Sequence, residues 1–367
     1  MKTPYHKGKV LLGILTYRNG SFIAGRRYCT QIARTARKYN CEVVVFSPRD
    51  SDEGSGHVCG FIYNESNKRW KPARTRLPDI VYDRFSNMAP SALQEYAAYR
   101  QGSILHYINN RFVHKWNAHN YFQQNEEIKR YLPETVKVEK GRLGHLIAKH
   151  DSLYAKPANG SGGKGILRIR RKKEKLELIG RNKNGDIVER VLYSIPAAER
   201  YLLRWCQDYD RTFILQQGLS LSLQPGYIYD SRVLVQKNIN NEWKLTGIVG
   251  KKSPDQLVTS NLQGGGEAVD FHHMLSGRFT PAGIQEITRQ VKKLSLLIPP
   301  YIEQSFGGFV EFGLDIGIDT QGQVWLIEVN TKPNRELFRL ANKRETYKRA
   351  IEIPVLYALY QLGRTPL

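Results

Sequence analysis

Apolar positions along the chain alternate between two periods, and each switch marks an element. Val10 to Leu15 is an uninterrupted apolar run closed by Thr16 to Gly20. Gly25 to Tyr39 carries apolar residues at helical spacing, and Glu42 to Phe46 is again apolar and stops at Ser47-Pro48. Strand, helix and strand in that order predict a βαβ unit. Asp79 to Tyr82 predicts a further strand and Ser91 to Gln101 a further helix, giving an open α/β domain over residues 1–108. From residue 109 the texture changes. Residues 111–131 read as helical, and Leu153 to Pro157, Ile166 to Arg170 and Leu176 to Gly180 read as strands parted by glycine or charged turns. Pro196 to Gln207 predicts a helix with proline in its first turn, and Thr212 to Gln217 a strand, so residues 109–220 form a small α+β lobe. Residues 221–367 predict two hairpins. Tyr227 to Gln236 pairs with Trp243 to Val249, and Phe309 to Ile318 with Gln323 to Asn330; helices from Pro281 to Gln304 and Lys343 to Leu362 bracket the second hairpin.

Composition removes several classes. With 41% hydrophobic and 25% charged residues in 367, the chain is neither disordered nor fibrous. The six-residue run Val10 to Leu15 is too short for a signal segment or a bilayer span. Cys29, Cys41, Cys59 and Cys206 form no CxxC pair, and no His/Cys cluster has zinc spacing, so a cytoplasmic, reducing compartment is expected. The net charge of +22 changes the picture, because it attracts polyanions. An acidic peptide or protein partner is one expectation; nucleic acid rests on charge alone and is disfavoured. The densest basic run, Lys164 to Lys175, also reads as a plain exposed hairpin.

The segment 154–166, YAKPANGSGGKGI, holds the richest glycine cluster. Gly160, Gly162 and Gly165 match GxGxxG, yet Ile166 to Ile169 continues as a strand where a dinucleotide fingerprint would open a helix, and no Lys-Ser or Lys-Thr completes a Walker loop. Strand, glycine loop, strand suits backbone N–H groups laid over nucleotide phosphates. Lys156, on the strand before the loop, needs a negative partner if it is buried: a phosphate, a carboxylate, or else an escape to solvent. In the hairpin 309–330, a turn closed by Asp319 and Gly322 opposes Asp315 to Leu326, Gly313 to Glu328 and Glu311 to Asn330. Asp315, Glu328 and Asn330 then share a face, with the two carboxylates diagonal neighbours that repel unless a cation lies between them. Oxygen ligands of this kind suit Mg²⁺ or Mn²⁺. A register off by one, or pairing of these acids to arginines, is the alternative.

A lysine before a glycine loop between strands, followed much later by Asp, Glu and Asn in this spacing, resembles the ATP-grasp superfamily over about residues 105–365. The wording of YDSRVLV, SNLQGGG and FGLDIGID before LIEVN is most similar to its spore-coat-associated YheC/YheD branch. The resemblance implies an ATP-grasp fold preceded by a small open α/β (pre-ATP-grasp) domain. It further implies an ADP-forming carboxylate–amine ligase that makes an amide bond through an acylphosphate, linked to sporulation or the spore coat. Lys115, Lys156, Gly160, Ser161, Gly162 and Gly163 would hold the phosphates, Gln216, Gln217 and Leu219 the adenine hinge, and Asn261 would complete the nucleotide set. Arg232 and Lys251 would serve the transferring phosphoryl group, and Asp315, Glu328 and Asn330 the Mg²⁺. Arg232 has an alternative as a strand arginine paired to Asp270 or Glu267. A nucleotide-binding coat protein without turnover is the rival expectation. The hinge departs from the family in carrying Gln216 and Gln217 where many relatives have a glutamate.

Overall fold

The computed structural model describes residues 9–85, 89–110, 115–158, 164–209, 211–254 and 266–364. In its first sheet Val10–Leu15 lies between Cys41–Phe46 and Ile80–Asp83, all three parallel. These strands are buried along almost their whole length, which is why they read as continuous apolar runs rather than alternating ones. Helix Arg26–Arg37 crosses between the first two and buries Cys29, Ile32, Ala33 and Ala36. An antiparallel hairpin, His57–Asn64 with Arg69–Arg76, extends this sheet and was not expected from the sequence. Its outer strand, RWKPARTR, is mostly exposed and carries Pro72, the polar texture of an edge strand with no apolar signal to find.

The second sheet is antiparallel, in the order Ile187–Leu192, Lys175–Arg181, Ile166–Lys172, Ser152–Pro157, Phe213–Gln217, Thr135–Lys137. Helices Arg142–Lys149 and Ile195–Gln207 cover one face, where Leu143, Leu146, Leu202 and Trp205 meet Leu153, Ala155 and Leu167. Because side chains alternate along a strand, the burial of Leu153 and Ala155 sends Tyr154 and Lys156 to the opposite face.

The third sheet runs Glu267–Val269, Trp243–Pro254, Tyr227–Lys237, Glu311–Ile318, Val324–Asn330, all antiparallel, over helix Pro281–Phe306. The last helix, Arg344–Gln361, packs Ile351, Val355 and Ala358 into one core with Leu12 and Ile32 of the first sheet's layer and Leu234 of the third. Buried charges reinforce that junction. Glu311 is fully buried and accepts from Arg84, Arg335, Tyr82 and Gln236, while Lys332 donates to Asp83 at 2.8 Å. The end of strand Ile80–Asp83 thereby grips the segment that follows Asn330 and fixes where that residue sits.

The register of the third-sheet hairpin differs from the expected one. Ile318 opposes Val324 and Ile316 opposes Leu326; a bulge at Ile327 then brings Glu328 opposite Asp315 and Asn330 opposite Gly313. The turn explains the first slip: Asp319 Oδ1 accepts from the N–H groups of Gln321 and Gln323, and Asp319 N–H donates to Gln323 O. The closing pair is therefore Asp319 and Gln323, one residue beyond Gly322, and the bulge adds one more. Among the described residues, no helix is long and apolar enough to cross a membrane.

Candidate functional site

A cleft of about 190 Å³, partly open to solvent, lies between the second and third sheets. One wall is helix Lys115–Gln123, which presents Lys115, Ala118, His119 and Phe122; the floor is Thr135, Lys156, Ala158, Ile214 and Gln216; the far wall is Leu326 to Val329. Apolar side chains and convergent polar groups share this lining about evenly, a make-up that suits a polar small molecule with an apolar part.

Lys156 donates to Gln216 Oε1 at 2.6 Å, and Gln216 in turn donates to Thr135 Oγ1 at 2.8 Å. Burial, and then the nearby Lys115, lower Lys156 from the ordinary lysine value to about 8, with Glu328 acting weakly in the other direction. The ammonium thus faces the cleft with a neutral amide as its hydrogen-bond partner. Lys115 Nζ lies 3.5 Å from Glu328 Oε1. His119 is 8% exposed, stacks on Trp116, and has Nε2 buried with no hydrogen-bond partner. Burial, and then Lys156, hold it at about 4, so it is neutral at physiological pH. His119, Phe122 and Thr135 were not picked out from the sequence. Helical spacing from Lys115 to His119 is the one signal that could have suggested a shared face.

Behind Glu328 lies a buried charge cluster built by strand register. Arg232 opposes Asp315 across one ladder, and Asp230 opposes Lys251 across the next. Arg232 donates to both Asp315 oxygens, at 2.8 and 3.1 Å, the bidentate fork of a strong pair. Lys251, 3% exposed, reaches Asp315 Oδ1 at 3.2 Å and Asp230 Oδ1 at 2.8 Å. Asn330 donates its amide to Asp315 Oδ2 at 3.3 Å. Burial alone would raise Asp315, but Arg232 and Lys251 overcome it and hold the carboxyl well below its ordinary range. Burial likewise works against the protonated Lys251, and Asp230, then Asp315, outweigh it and raise the group. Gly313 leaves room for Pro333, because a Cβ there would lie 2.6 Å from Pro333 Cβ.

The placements sort the expected residues. Lys115, Lys156, Gln216 and Glu328 line one cleft; Arg232, Lys251, Asp315 and Asn330 form the cluster behind it. Gln217 and Leu219 are not among the lining residues. Gln217 is turned to Glu134, donating its N–H to the carbonyl and accepting the Glu134 N–H on Oε1. Gly218 fits closely against Ser152, where a Cβ would come within 2.7 Å of backbone oxygen. Arg232 pairs with neither Asp270 nor Glu267 as the alternative had it; Asp270 caps helix Phe271–Ser276 and pairs with Lys343 at 2.7 Å. Gly160, Ser161, Gly162, Gly163 and Asn261 lie outside the described residues. A divalent cation fits part of the donor set: Glu328, a third exposed, offers carboxylate oxygens to the cleft, and Asn330 carries an amide oxygen beside it. The Asp315 oxygens, by contrast, are engaged by Arg232, Lys251 and Asn330.

Comparison with known proteins adds an independent line. A family model described as YheC/D-like ATP-grasp matches residues 105–360. The endospore coat-associated protein YheC of Bacillus subtilis (strain 168) is 24% identical over 322 residues, 84% of this chain and 85% of that protein. YheD of the same organism is 28% identical over 307 residues, 81% of this chain and 66% of that protein. Among solved structures, the ATP-grasp ligase PsnB, complexed with a phosphomimetic precursor variant, Mg and ADP, superposes with a TM-score of 0.54 at 12% identity, covering 98% of this chain and all of that one.

Proposed function

The chain belongs to the YheC/D-like ATP-grasp family, and from that premise we propose an ATP- and Mg²⁺-dependent ligase that joins a carboxylate to an amine through an acylphosphate, releasing ADP. The observation that carries this is the convergence of Lys115, Lys156, Gln216 and Glu328 on one cleft, backed by the Asp315 cluster. In this reading Lys115 and Lys156 bind the phosphates of ATP, together with Gly160, Ser161, Gly162 and Gly163. The apolar walls hold the adenine, and the carbonyl of Gln217 and the N–H of Leu219 supply its hinge contacts. Glu328, Asn330 and Asp315 would hold Mg²⁺, which would draw charge from the transferring phosphoryl group. Arg232 and Lys251 stabilise charge there, a task in which positioning and neutralisation matter more than proton transfer. Lys251 supplies the charge of a phosphate-binding arginine without its bidentate fork. Asn261 completes the nucleotide contacts.

We read the chain as three units, 1–108, 109–220 and 221–367, with an acidic peptide or protein among the candidates for the carboxylate and amine. The relatives are coat-associated by name, which supports a protein that joins the spore coat. A second reading, nucleotide binding without turnover, is favoured by one observation: the oxygens of Asp315 are taken up by Arg232, Lys251 and Asn330. ADP release on screening acids and amines separates the two. Release that requires both an added carboxylate and an added amine supports the ligase; nucleotide binding with no release under any pair supports the second reading.

A further inference from the structure

Asp315 has no acceptor position to spare. It takes two bonds from Arg232, one from Lys251 and one from Asn330, and a carboxylate offers about four such positions. A cation arriving at Asp315 must displace one of these donors. Asn330, neutral and 3.3 Å from Oδ2, can turn its amide aside there; on Oδ1 the donors are Arg232, whose removal breaks two charge-assisted bonds at once, and Lys251. Lys251 is held to Asp315 by a single longer contact of 3.2 Å and has a shorter one, 2.8 Å, to Asp230. Being 3% exposed, it cannot retreat into solvent, so it can leave Asp315 only if a second carboxylate keeps its charge compensated.

We propose that Asp230 is that second carboxylate, the receiving partner of a counter-ion exchange. In the unloaded protein the Lys251 ammonium is shared between Asp230 and Asp315. When a divalent cation and nucleotide enter, Lys251 settles on Asp230 and frees one acceptor position on Asp315 Oδ1, which keeps its bond from Arg232 Nε. Asp230 is then a positioning residue, and the spacing Asp230-x-Arg232 is explained by it. The two residues share one face of strand Tyr227–Lys237, so one anchors the cation that moves and the other is the cation that stays. The inference rests on reading the cleft as a nucleotide and metal site. It also accounts for the saturation of Asp315 without giving up turnover.

The test is a Mg²⁺ titration of ATP affinity, read by calorimetry, for wild type, Asp230→Asn, Asp230→Glu and Lys251→Met. Asp230→Asn should need about tenfold more Mg²⁺ to reach its high-affinity state, the scale of one charge-assisted contact, with ATP affinity in EDTA unchanged. Asp230→Glu should restore most of the wild-type response. If Asp230→Asn fails to fold alone, the Lys251→Met background removes the buried ammonium, and there the Asp230→Asn change should have no effect on the Mg²⁺ requirement. An unaltered Mg²⁺ requirement in Asp230→Asn, or an effect that persists undiminished without Lys251, overturns the exchange while the nucleotide site stands. Absence of Mg²⁺-enhanced binding in wild type overturns the exchange and the metal reading together.

Discussion

Replacing Lys156 with methionine should make the unliganded protein more stable while removing its grip on nucleotide. The lysine is held near 8 by burial and by Lys115, against an ordinary 10.5. Each unit of such a difference corresponds to about 1.4 kcal/mol, so the protonated side chain carries roughly 3 kcal/mol of unfavourable free energy at neutral pH. Two effects reduce what methionine recovers. Water in the cleft screens part of the cost, and Gln216 loses the donor at 2.6 Å, leaving an amide oxygen short of one bond, worth roughly 1 kcal/mol. A net gain of about 1 to 2 kcal/mol remains. Its pH dependence carries the signature. With the folded value below the unfolded one, the penalty is full below about pH 8 and fades as pH rises toward 10.5, so the gain should shrink over that window. Urea denaturation at pH 7 and at pH 10 without nucleotide measures it, and calorimetry with ATP and Mg²⁺ should show affinity reduced by about tenfold or more. A variant that is less stable than wild type at pH 7, by an amount that does not change with pH, would refute the reasoning.

Glu328→Gln keeps the shape of the side chain but removes the charge that faces Lys115 and Lys156; turnover in a coupled ADP assay should fall by about 100-fold or more, with the melting temperature of the unliganded protein unchanged or slightly lower. His119→Phe should stabilise the protein most at low pH. The imidazole is neutral in the fold and held at about 4, so its penalty grows as pH falls from about 6.5, and urea denaturation should show a gain of about 1 to 2 kcal/mol at pH 5 beyond that at pH 7. Arg232→Met strips the fork from buried Asp315 and should cost about 3 kcal/mol or more in chemical denaturation, with Arg232→Lys intermediate.

Much of the fold was legible because burial writes itself into period. Val10–Leu15 and Cys41–Phe46 are covered on both faces and so are apolar throughout; helix Arg26–Arg37 shows its buried stripe at helical spacing. Elements with little buried surface left no such trace. Strand Ile187–Leu192 is mostly exposed, Thr135–Lys137 is three residues long, and Arg69–Arg76 shows mainly basic side chains. The shared face of Asp315, Glu328 and Asn330 was legible from the two-residue period of the strands, yet the pairing was wrong. A side-chain cap by Asp319 and a bulge at Ile327 set the register, and neither has a fixed sequence signature. That Arg232 meets Asp315 depends on which strands are neighbours, information held in the topology of the third sheet. His119 stayed hidden for a related reason: a lone histidine shows its chemistry only once Lys156 and Thr135, from distant strands, are seen on the same cleft.

The central claim is that this cleft binds ATP together with a divalent cation. Calorimetric titration of the wild-type protein with ATP, with Mg²⁺ and then in EDTA, tests it most directly, alongside Lys156→Ala as the cleft control. The account predicts saturable one-to-one binding that Mg²⁺ strengthens and that Lys156→Ala weakens by about 1.5 to 3 kcal/mol, the worth of a hydrogen bond to a charged group. No heat from a folded sample at any Mg²⁺ concentration, or binding that Lys156→Ala leaves intact, would contradict it.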